Sequence, residues 1–173
     1  MVFDSKVLIL DNFRRLLAGY SVDVQDIVRS AILDNTDITE YITQCKDNPY
    51  RLEQIRLALK EDLDRDFLEI SSGDLLYRIR CMCKKNVDVS LFKRYINSVN
   101  SETLGYLLTW MEEGLPISNL QISRIPIDML NIFDYGIRNG YDMSEFNNGK
   151  SYDEDKVRAL LKIQANKKRI SRF

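Results

Sequence analysis

The sequence predicts an all-α protein of stacked helix–turn–helix repeats, a long helix and a short one in each, forming an α-solenoid-like array or a compact helical bundle. Three observations predict it. Apolar residues make up 45 % and charged residues 29 % of 173 positions, a balance that supports a buried core. Leu, Ile, Lys, Arg, Asp and Glu dominate over Val and Thr, and only 7 Gly and 3 Pro interrupt the chain. One short corner recurs, as in "NVDVSLF" at 86–92, "GLPISNL" at 114–120 and "GYDMSEF" at 140–146.

Each corner is anchored on a turn residue: Gly19, Asn35, Asp62, Asn86, Gly114 and Gly140. All are types that tolerate the left-handed conformation past a helix end. The next residue is Tyr20, Thr36, Leu63, Val87, Leu115 or Tyr141, mostly apolar and placed to fold back on the last helical turn. Four residues after the turn residue stand Asp23, Thr39, Asp66, Ser90, Ser118 and Ser144. Their side chains are suited to accept from the free N–H groups that open a helix.

The long helices precede the corners. Apolar residues at helical spacing mark them: Leu52, Ile55, Leu59 and Leu63; Leu76, Ile79, Cys83 and Val87; Leu104, Leu107, Met111 and Leu115; Leu130, Phe133, Ile137 and Tyr141. Asn48-Pro49, Asn100-Ser101, Pro126 and the capping box Ser151–Glu154 are start signals. Short helices or single turns follow the corners at Tyr41-Ile42, Phe67-Leu68, Leu91-Phe92 with Tyr95-Ile96, Leu120 with Ile122, and Phe146. Successive turn residues are 16, 27, 24, 28 and 26 positions apart, so the first interval has no room for a second element and Asp23 is expected to cap the next long helix. No unit this small buries its own apolar face, so neighbours must stack. Residues 1–155 form the repeat body, and 156–173 a basic capping helix and tail of the same structural domain.

"LEQIRLALKEDLDRDF" at 52–67, "LYRIRCMCKKNVDVSLF" at 76–92 and "LGYLLTWMEEGLPISNL" at 104–120 resemble a short helical repeat. That repeat runs Ile-Arg, an apolar residue, then Gly-Leu-Asp-Val-Ser. It is found in proteins of Gram-positive bacteria, their phages and mobile elements. The resemblance covers residues 24–148 and implies a helical-repeat fold with an interaction role. It supplies no catalytic residue. Ankyrin repeats share a Gly-apolar-Asp-apolar corner, but their longer period and Thr-Pro-Leu-His signature are absent.

The chemistry-bearing residues are few. There is no histidine, which removes Ser–His and Cys–His pairs and most catalytic zinc sites. No GxGxxG or GxxxxGK[ST] cradle occurs. Cys45, Cys81 and Cys83 are odd in number, fit buried structural thiols, and suggest a reducing, cytoplasmic setting. "DLDRDF" at 62–67 lacks the Gly and Glu of a calcium loop, so its aspartates are expected to serve the corner. Asp37, Asp64, Asp88 and Asp142, two residues after their turn residues, are expected to hydrogen-bond the local turn. No secretory leader or membrane span is evident, and no metal or cofactor is expected.

Two basic features are the candidate partner-binding residues. Arg29, Arg56 and Arg80 occupy equivalent places in consecutive long helices and would align on stacking. Such a row suits phosphate or carboxylate recognition, but as a solvated face or as salt bridges to Glu53, Glu61 or Glu69 between repeats it needs no ligand, and the structural reading is the better supported. Residues 156–173 hold seven Lys or Arg and no Asp or Glu, which leaves the other 155 residues with 18 basic and 26 acidic side chains, a net of −8. Within that helix Lys162, Lys167, Lys168, Arg169 and Arg172 are the candidates. Positive charge there also complements the helix dipole. Tyr77, Tyr106, Tyr135, Tyr152 and Trp110 fit core positions, with some of the tyrosines partly exposed.

The expectation is a non-enzymatic interaction protein whose partner is another protein. The resemblance extends this to a phage or mobile-element inhibitor or modulator of a host nucleic-acid machine, such as a nuclease defence system. The alternative is direct nucleic-acid binding by the basic helix and the Arg row. An enzyme with a carboxylate-only metal site is the weakest reading.

Overall fold

The computed structural model describes residues 15–118, 120–143, 146 and 154–170. Its regular elements are all helical, with no strand among the described residues. The long helices are α1 (Val22–Asp34), α3 (Pro49–Lys60), α4 (Gly73–Lys84), α6 (Ser101–Glu112), α7 (Leu130–Arg138) and α8 (Glu154–Ile170). Between them lie α2 (Thr39–Ile42), α5 (Ser90–Tyr95) and 3₁₀ turns at Arg65–Glu69, Ile122–Arg124 and Ile127–Met129. The alternation of long and short elements is the one the corners predict.

Five of the six turn residues hold the left-handed conformation: Asn35 (φ 56°), Asp62 (53°), Asn86 (57°), Gly114 (66°) and Gly140 (63°). Each makes the same pair of bonds. The N–H of the turn residue reaches the carbonyl three residues back, and the next N–H reaches the carbonyl five back. Asn86 to Cys83 (2.9 Å) with Val87 to Met82 (3.0 Å) is one copy; Gly140 to Ile137 with Tyr141 to Gly136 (both 2.9 Å) is another. This is the Schellman closure, which satisfies carbonyls that a helix end leaves open. Gly19 is the exception and is not left-handed.

The helix starts differ in detail from expectation. Asn48 and Asn100 cap α3 and α6, accepting from Arg51 and Thr103 N–H, each at 2.9 Å. Asp23 does not cap α1; Ser21 does, accepting from Val24 N–H. At three corners the acceptor is the Asp two residues past the turn residue, not the residue four past it. Asp37 accepts from Thr39 N–H (3.0 Å), Asp64 from Asp66 N–H (3.1 Å) and Asp88 from Ser90 N–H (2.8 Å). The carboxylate reaches two residues ahead because the chain between is already bent, the geometry of an Asx turn. Ser144 and the Ser151 end of the capping box lie outside the described residues.

The chain divides into two compact units, one ending at Cys81 and the other beginning at Met82. In the first, α1 packs on α3, and Val24, Val28, Leu52, Ile55, Leu68 and Leu76 are buried. In the second, α5 packs on α6, α6 on α7 and α7 on α8, around Phe92, Leu107, Trp110, Leu130, Phe133 and Val157. Gly136 lets α8 approach α7 closely, since a Cβ there would meet Met143 Sδ at 2.6 Å and Leu161 Cδ2 at 3.2 Å. Cys45 is buried, which pushes its thiol up, while Cys81 and Cys83 are half-buried. Tyr77 and Tyr135 are about half exposed, so of the two placements the sequence allows them the structure shows the partly exposed one and not the core.

Candidate interaction surface

The Arg row is not a free surface. Arg56 is 8 % exposed and is held by Asp34 and by both oxygens of Glu53 (2.6 and 2.8 Å). Its hydrogen bond to Glu53, and then the charges of Glu53 and Asp34, keep the guanidinium protonated still more firmly. Arg80 is 6 % exposed and donates to both oxygens of Glu61 and to Gln54 Oε1. Arg29 alone is half exposed, paired with Asp26 at 2.9 Å in its own helix. A buried guanidinium must be fully paired to offset its desolvation, so Arg56 and Arg80 are spent inside the fold.

A rule of position emerges. The carboxylate that receives each cation stands just before a turn residue, and the cation comes from the following long helix. Asp34 receives Arg56 and Lys60, the latter at 2.9 Å; Glu61 receives Arg80; Glu113 receives Arg138. Lys60 donating to Asp34 holds that carboxyl below its ordinary value, with Arg56 adding to the effect. Arg138 also binds Asp134, which accepts from Trp110 Nε1 at 2.8 Å.

Lys168 reaches the last corner without a carboxylate, since Asn139 stands before Gly140. Its ammonium donates to the carbonyls of Asn139 and Gly140 (3.1 Å to the latter) and sits 4.8 Å from the centre of the Tyr141 ring. Gln164 pairs twice with Asp142, accepting from its N–H (2.8 Å) and donating to its carbonyl (3.0 Å). Thus Lys168, expected as a partner contact, instead ties α8 to the last corner. Lys162, Lys167 and Arg169 are exposed, and Arg172 lies outside the described residues.

The surface that sequence reasoning missed lies at the corners. The apolar stripe of each long helix is fully buried at its start, as at Leu52 and Ile55 or Leu104 and Leu107, but only partly buried at its end. Those half-exposed ends line open grooves between consecutive corners. One of about 420 Å³ takes in Leu59 and Leu63 with Asp34, Asp37, Lys60 and Arg65. A second, about 480 Å³, lies between Asn86 and Gly114 and holds Val87, Leu91, Met111, Leu115 and Pro116, with Asp88 and Arg94 at its edge. A third, about 370 Å³, shares Pro116 and adds half-buried Tyr141 beside Leu120, Ile137 and Met143, which are buried. The first is mainly polar and charged; the other two are mixed, with apolar surface slightly ahead of polar.

No His/Cys/Asp/Glu group suited to a metal ion occurs among the described residues, and no described helix is long and apolar enough to cross a membrane. Compared with protein-family models, curated proteins and solved structures, the chain matches none.

Proposed function

We propose that this chain is a non-enzymatic helical-repeat interaction protein that binds another protein along its corners. The observation that carries the reading is the recurrence of half-exposed apolar residues in grooves between corners, Leu59 and Leu63 in one and Val87, Leu91, Met111 and Leu115 in another. Hydrocarbon left partly wet at repeated, concave places suits a partner's side chains better than solvent. The acidic balance of residues 1–155 favours a partner with basic character. The resemblance to repeats of phages and mobile elements sharpens this to an inhibitor or modulator of a nucleic-acid machine, whose basic channel an acidic body would fill.

A second reading is direct nucleic-acid binding. In its favour, Lys162, Lys167 and Arg169 are exposed and have no ion pair among the described residues. Against it, Lys168 is engaged, and Lys167 lies about 140° round the helix from Lys162, which leaves only Lys162 and Arg169 of the three on one face.

Affinity capture of the tagged protein from lysate, with and without nuclease, separates the two. The first reading expects a stoichiometric protein that survives nuclease and cross-links to a probe placed at one or more of the corners, at Leu63, Leu115 or Tyr141. Recovery of nucleic acid alone, with binding to an oligonucleotide that falls steeply with salt, transfers the function to α8.

A further inference from the structure

We propose that the groove between the corners at Asn86 and Gly114 docks an extended segment of the partner, an apolar residue flanked by one basic and one acidic residue. The inference rests on the protein-binding reading and assigns the chemistry of what is bound. The floor is hydrocarbon: Val87, Leu91, Met111 and Leu115 are each half-buried, and Pro116 is exposed at one wall. Such a floor takes one apolar side chain, with Ser90 and Ser118 among the groove's other lining residues.

The rim is dipolar. Asp88 stands before α5 and Arg94 near its end. At the rise of a helix they are on the order of 10 Å apart, which three or four residues of extended chain cover. Asp88 is exposed, and its carboxyl is held below the ordinary value by the backbone N–H and hydroxyl of Ser90, so it is a fixed negative charge at neutral pH. Arg94 is exposed and makes no ion pair among the described residues, unlike Arg56, Arg80, Arg138 and Arg158. Alternation along an extended chain puts its first, third and fifth side chains on one face. A segment of the form Lys-x-Leu-x-Glu therefore sets its base against Asp88, its apolar residue on the floor and its acid against Arg94. A segment with two bases or two acids leaves one like-charge pair facing.

The probes are fluorescent peptides containing Lys-Ser-Leu-Ser-Glu, Lys-Ser-Leu-Ser-Lys, Glu-Ser-Leu-Ser-Glu and Lys-Ser-Ser-Ser-Glu, titrated to millimolar against the whole chain. Amide chemical shifts locate the contact. The first peptide should bind roughly threefold tighter than the second or third, the scale of an exposed ion pair. It should bind at least about tenfold tighter than the fourth, which lacks the apolar anchor. Arg94→Glu, a change at an exposed residue, should make Lys-Ser-Leu-Ser-Lys the preferred peptide. Equal binding of all four, no binding, or shifts remote from Leu91, Met111 and Leu115 would overturn the proposal. A nuclease-resistant partner that cross-links elsewhere would leave protein binding standing while removing this groove, so the two readings fail separately.

Discussion

Six residues ahead of each corner, the unit ending at Cys81 carries Arg29, Arg56 and Arg80, and the unit beginning at Met82 carries Leu108 and Asp134. The slot is the same in sequence and differently filled. In the first unit Arg56 and Arg80 put a guanidinium there, enclosed by acids. In the second, Leu108 is fully buried, Asp134 holds the indole of Trp110, and the bridging cation has moved outward to Arg138, 39 % exposed. A buried ion pair and a buried hydrocarbon give similar net stability when each is complete. What the slot does not tolerate is half of either.

The most severe way to break the comparison is Leu108→Arg. The residue before the preceding corner is Lys85, so no acid stands where Glu61 serves Arg80. An unpaired guanidinium there should cost more than about 4 kcal/mol, or prevent folding, as read by urea denaturation. Arg80→Leu should cost about 3 kcal/mol by the same measurement, because Glu61 and Gln54 lose their partner. Adding Glu61→Gln should return part of that loss. Gly136→Ala tests the apolar style of the second unit. Its new methyl would press on Met143 and Leu161, and about 1–2 kcal/mol should be lost, less if Met143 swings aside.

The smallest effect is set by acid. The N–H and hydroxyl of Thr39 and of Ser90 hold Asp37 and Asp88 below the ordinary carboxyl value of 3.8. A lowered folded-state pKa means the contribution is complete above the ordinary value, which holds in the unfolded chain, and is lost as pH falls from there through the lowered one. The melting temperature should drop as pH is taken below about 4, and the double variant Asp37→Asn, Asp88→Asn should flatten part of that slope. An unchanged slope would show that these two aspartates are bonded no better in the folded chain than in the unfolded one.

Much of this architecture was legible because the corner is a local object. A left-handed residue, an apolar residue and an aspartate within a few positions specify a Schellman closure and an Asx turn without help from elsewhere. Gly19 failed because glycine permits the left-handed conformation but does not demand it. The candidate site was less legible. Aligning Arg29, Arg56 and Arg80 gave the shared position and two of the acceptors, Glu53 for Arg56 and Glu61 for Arg80, but not Asp34, which reaches Arg56 from the preceding corner, nor Asp26, which holds Arg29 within its own helix. A signal did exist: Asp34, Glu61 and Glu113 stand just before corners whose following helix supplies the cation. Where Lys85 takes that place, the next helix has Leu108; where Ala18 takes it, Arg29 stays half exposed. The fate of Lys168 had no such signal, since the register of α8 on the last corner follows from Gly136 and Met143 packing against it.

The five closures also bear on how the chain reaches this state. Each corner's paired backbone bonds span at most five positions along the chain, and the cation that joins one repeat to the last arrives within 29 residues. Closing such short loops takes well under a microsecond and little entropy. Nothing distant is needed before a helix pair can form, so folding can keep pace with a ribosome adding about 5–20 residues per second. Each pair can then set before the next one leaves the exit tunnel.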